Sequence, residues 1–183
     1  MTCHPARPVR AQSPHPGERA ACLHAAARNI LPLLEAGRPF GTGQLRAAMN
    51  LAFGTSDSEG GWDWKSAYDA CEGAQILLLR AWGHALMVRA GSPAKCLALF
   101  ERIASHVPTH TRRSPTSQAL QQYSTPLPLA FLAALAASFR PGDLVLEPSA
   151  GTGMLAIQAE LAGANLVLNE LDPGRAAFLA ELF

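Results

Sequence analysis

The residues with the clearest chemical potential lie in one run, Asp143 to Pro173, "DLVLEPSAGTGMLAIQAELAGANLVLNELDP". Gly151 and Gly153 permit a sharp turn and a close backbone approach to a ligand, and Ala156 permits tight helix packing, which completes the pattern G-x-G-x-x-A. Glu170 and Asp172 follow Gly153 by 17 and 19 residues, where an acid can accept hydrogen bonds from both hydroxyls of a ribose. On spacing alone the loop suits NAD and S-adenosylmethionine almost equally.

Glu147 and Pro148 separate the two. A pyrophosphate needs bare amides at a helix N-terminus, and a carboxylate at the mouth of the turn repels its charges. S-adenosylmethionine has no phosphate, and its sulfonium and α-amine tolerate or gain from an acid there. Glu147 can instead accept bonds from the amides of the glycine loop, and both roles stay open. Asp172, directly before Pro173, is placed to cap a helix rather than to meet a ligand.

Holding these residues in place requires strands and helices in alternation. The pattern predicts a helix at 127–138, a strand at 143–147, a helix at about 153–162, a strand at 165–169 and a helix from Pro173 onward. Strands alternating with helices imply parallel pairing and an α/β sheet. Upstream the chain reads as helical. Residues 1–17 hold four prolines and no periodicity, and read as a disordered leader. From Glu18 a helix runs to Gly37 with a break at Pro32, followed by "TGQLRAAMNLAF" and a longer helix from about Trp62 to Arg89. "SPAKCLALFERIASHV" adds a fourth, capped by Ser92 with proline at its first position.

Residues 18–107 are therefore expected to form an all-helical unit with its own core, burying Tyr68, Trp82, Leu97 and Phe100. Nothing in that unit has the pattern of a catalytic site. Residues 108–122 read as a linker, and its Arg112 and Arg113 are read as solvated.

A formal net charge of +1 gives no electrostatic footprint for nucleic acid or a membrane surface within these residues. Cys3, Cys22, Cys71 and Cys96 show no paired spacing, which points to free thiols of a reducing compartment, and the nearby histidines fit no zinc pattern. No apolar run reaches spanning length and no signal peptide is visible, so a cytoplasmic location is expected.

Three blocks in order, "QQYSTP" at Gln121 to Pro126, "EPSAGTGMLA" at Glu147 to Ala156 and "NELDP" at Asn169 to Pro173, resemble the opening of class I DNA methyltransferases of the adenine-N6 type. The resemblance implies an incomplete Rossmann-like sheet, its first two parallel strands with helices, preceded by the helical unit. It makes residues 123–183 the start of an S-adenosylmethionine-binding domain. It also implies roles: Thr125 for the methionine carboxylate with Tyr123 and Ser124 nearby, Glu147, Pro148, Gly151, Thr152 and Gly153 for the loop, and Glu170 for the ribose. With "GTSDSEGGWDWKSAYDACEGAQ" upstream, the chain also looks like the start of the bacterial methylase-helicase proteins related to strawberry notch.

The family's chemistry further needs an Asp/Asn/Ser-Pro-Pro-aromatic tetrapeptide, which holds the target amino group and stacks on the flipped base. None occurs in these 183 residues. The chain is thus expected to be the N-terminal portion of a longer protein, with DNA contacted by regions beyond it. Rival readings are an RNA or protein-glutamine methyltransferase fragment, an NAD-dependent oxidoreductase, and a catalytically silent helical docking module.

Overall fold

The computed structural model describes residues 15–109 and 123–183. Arg112, Arg113, Cys3, His4 and most of the proline-rich leader lie outside the described residues. Within them the order is α1 (Pro16–Glu35), α2 (Thr42–Phe53), α3 (Trp64–Ala90), α4 (Pro93–Ser105), α5 (Leu127–Ala137), β1 (Leu144–Glu147), α6 (Met154–Leu161), β2 (Asn165–Leu168) and α7 (Pro173–Leu182). This is a mixed α/β chain.

The helix boundaries follow local chemistry. Ser92 and Asp172 each accept a hydrogen bond from the amide three residues on, and each precedes a proline at the first helical position. Asp63 caps α3 in the same way through Ser66 N–H. Two expectations fail at α1. Pro16 and Gly17 open the helix instead of belonging to a leader, and the helix runs through Pro32 without a break. Pro32 removes the bond to the carbonyl of Arg28, and Arg28 is exposed, so solvent can satisfy the freed group.

β1 and β2 pair in parallel, Leu144 beside Asn165 through Glu147 beside Leu168. Alternation along both strands sends Val145, Glu147, Leu166 and Leu168 to the half-buried face, against which α6 packs. Leu144, Leu146 and Val167 occupy the opposite face and remain exposed, at 73%, 65% and 47%.

The helical unit does not keep a core to itself. One continuous apolar cluster joins Ala27, Ile30, Tyr68, Leu79 and Phe100 of the first four helices to Leu127, Ile157 and Phe178 of the later elements. Helix α7 lies on α1, while α6 lies on α3. Gly73 permits the approach of α7: a Cβ there would stand 2.6 Å from the Phe178 ring.

Tyr68 and Phe100 are buried as expected, and Leu97 is half-buried. Trp82 is not. It is 52% exposed, and its indole Nε1 donates to Glu35 at 2.9 Å. The reason lies in the length of α3. Its first half, Ser66 to Ile76, is buried on all sides, whereas past Arg80 only Gly83 is buried, so one periodic face does not extend along the whole helix.

Candidate functional site

The turn from β1 into α6 carries the loop residues. Gly151 (φ 60°) and Gly153 (φ 100°) both lie in the left-handed region that favours glycine. A Cβ on Gly151 would stand 2.9 Å from Arg175 Nη2, and one on Gly153 would collide with the Phe183 ring. The turn is locked from within and from β2. Gly153 N–H donates to the Ala150 carbonyl and Ala150 N–H to the Asn169 carbonyl, both at 2.8 Å. Asn169 Nδ2 donates to the Pro148 carbonyl at 2.9 Å.

Both expected acids sit at the carboxyl ends of the strands. Glu147 Oε1 accepts from Ser149 N–H at 3.2 Å, which matches the amide-accepting role left open for it. Glu170 Oε2 accepts from Gly151 N–H at 2.8 Å, and its Oε1 from Asp172 N–H at 2.9 Å. The side chain of Asp172 caps α7 through Arg175 N–H at 2.8 Å, as its place before Pro173 implies.

Tyr123, Ser124 and Thr125 lie elsewhere around the turn. With Met154, the first residue of α6, they line a cleft of about 410 Å³ whose other wall is the buried side of α3. Glu147, Pro148, Gly151, Gly153 and Glu170 do not line it. Arg175 connects the two groups: it flanks Gly151, and its Nη2 reaches Ser124 Oγ at 3.4 Å.

The α3 wall is the part that sequence reasoning missed. Lys65, Asp69, Glu72 and Gln75 recur at helical spacing along one stripe and face the cleft. Asp69 is 4% exposed, with Lys65 Nζ at 2.8 Å and Arg175 Nε at 3.7 Å. Burial, opposed by Lys65, reinforced by Glu72 and opposed by Arg175, leaves its carboxyl pushed up to about 6. Arg175 Nε is buried and makes no hydrogen bond among the described residues. Thr152 is also turned to this side, its Oγ1 donating to Glu72 Oε2 at 2.6 Å in the buried interior.

Cys71 borders the same cleft, and burial, then Glu72 and Asp69, push its thiol far above the usual range, which disfavours the thiolate. Cys22, Cys71 and Cys96 are free thiols. Among the described residues no cluster of three His, Cys, Asp or Glu is placed to hold a metal ion, and no helix is long and apolar enough to cross a membrane. Comparison of the chain with protein-family models, curated protein sequences and solved structures gives no significant match.

Proposed function

We propose that this chain is the S-adenosylmethionine-binding portion of a class I amino-methylating methyltransferase, of the DNA adenine-N6 type it resembles. One observation carries the reading: the glycine turn after β1 is bonded to an acid at the end of β2, and the Tyr123 to Thr125 segment lies beside the start of the following helix. A cofactor with a ribose, a cationic centre and a zwitterionic tail fits that donor set.

In this reading Glu170 exchanges its bond to Gly151 N–H for the ribose hydroxyls, and Glu147 supplies negative potential near the cationic centre. Thr125 and Ser124 offer hydroxyl groups to the methionine end, with Arg175 behind them. The bound cofactor would supply an electrophilic methyl group. What this chain contributes in this reading is placement of the cofactor, whose methyl must lie in line with the acceptor nitrogen for transfer. Pyrophosphate cofactors are disfavoured by Glu147 at the mouth of the turn.

Calorimetry with S-adenosylhomocysteine and with NAD on the same protein tests the proposal. Binding of the first, weakened in Thr125→Ala and in Glu170→Gln, is the expected result. Equal or tighter NAD binding, or S-adenosylhomocysteine affinity indifferent to both substitutions, defeats it.

A further inference from the structure

The helical unit has no part in the function proposed above, yet its longest helix reaches the glycine turn. Glu72, only 6% exposed, accepts the Thr152 hydroxyl at 2.6 Å across 80 residues of sequence. Three residues earlier on the same stripe, Asp69 faces Arg175, the side chain that stands against Gly151. Next to Glu72, Gly73 brings Phe178 onto α3 and thereby seats α7 with its Arg175. A carboxylate buried at the middle of a helix is costly unless hydrogen-bonded. One partner here is the loop hydroxyl of Thr152, between the two left-handed glycines.

We propose that Glu72 is a positioning residue for the cofactor loop, so that α3 sets the conformation of Gly151 to Gly153 from behind. The hydrogen bond holds Thr152 inward and leaves the loop amides facing the strand ends. A charge-assisted bond of this kind is among the stronger hydrogen bonds in proteins, and losing it frees the turn to open. The claim about ligand affinity rests on the cofactor reading, whereas the claim about loop order does not.

The experiment is amide hydrogen exchange on the whole 183-residue chain, comparing the segment 149–156 with α4 as internal reference, alongside calorimetry with S-adenosylhomocysteine. Thr152→Val keeps the side-chain shape and removes the donor. We expect local exchange at 149–156 to rise about tenfold or more with α4 unchanged, and Thr152→Ser to restore protection. Glu72→Gln, which keeps an acceptor, should fall between the two. S-adenosylhomocysteine affinity should drop in parallel and recover with Thr152→Ser. Unchanged exchange at 149–156 in Thr152→Val, or a rise shared equally by α4, overturns the proposal. Should Thr152→Val not fold, Glu72→Met, which keeps the length of the side chain and removes the acceptor, overturns it equally if exchange at 149–156 is no different from wild type. If the wild-type chain does not bind S-adenosylhomocysteine, the cofactor reading fails, and the exchange data still decide the positioning role.

Discussion

Substituting Asp69 by Asn should change how stability depends on pH. The folded chain holds the Asp69 proton up to about 6, against an ordinary value of about 3.9 for the unfolded chain. Between those values the folded state binds more protons than the unfolded one, so stability falls as pH rises, and above them the loss levels off. Two pKa units at about 1.36 kcal/mol each put the whole loss on the order of 3 kcal/mol, roughly half of it above pH 5. Asp69→Asn carries no such titration. Lys65, which loses its partner in the variant, has a side chain 20% exposed and can reach water. Its cost is the same at each pH in this range and drops out of the slope. Using the difference between the two proteins also removes Glu59. Bonds from Ser56 and Thr55 hold that carboxyl below its ordinary range, and it acts with the opposite sign, losing stability as pH falls. Urea unfolding at a series of pH values from about 5 to 8 should show wild type falling relative to Asp69→Asn by one to two kcal/mol. A difference that does not change with pH, or that grows in favour of wild type as pH rises, refutes the account of a desolvated carboxyl.

Phe178→Ala empties a fully buried ring site shared by Gly73 and Ala27, and should cost about 3–5 kcal/mol of unfolding free energy in denaturant titration. Trp82→Ala removes an exposed indole and one bond to Glu35, so denaturant unfolding should shift by no more than about 1 kcal/mol. Iodoacetamide under native conditions should label Cys22 ahead of Cys71, read by peptide mass, because only Cys71 is buried beside two carboxylates. The 183-residue chain should incorporate no tritiated methyl into adenine-containing DNA, since it carries no Pro-Pro-aromatic segment to hold an extruded base.

The α/β alternation and the caps at Ser92 and Asp172 were legible because both depend on a few adjacent residues. So were the left-handed glycines of the turn and the acid at the end of β2. Trp82 and Pro32 were not: how far a helical face stays covered, and whether a freed carbonyl finds solvent, depend on neighbours distant in sequence. The α3 stripe was hidden for a related reason. Lys65, Asp69, Glu72 and Gln75 look like the solvated side of an amphipathic helix until the partners that bury them, Arg175 and Thr152, are known. Periodicity finds a polar stripe and cannot tell which way it faces.

The reach of α3 also sets a timetable for folding. Glu72 meets Thr152 and Arg80 meets Glu160, each pair 80 residues apart, and Arg80 also meets the Leu182 carbonyl 102 residues on. A ribosome adding roughly 5–20 residues per second takes at least about 4 s to make the second member of such a pair. During that interval the first four helices can collapse around Ile30, Leu79 and Phe100, yet Asp69 and Glu72 lack Arg175 and Thr152, and the notch at Gly73 has no ring to fill it. A bundle formed at that stage would keep an open groove until the glycine turn and α7 supply Thr152 and Phe178.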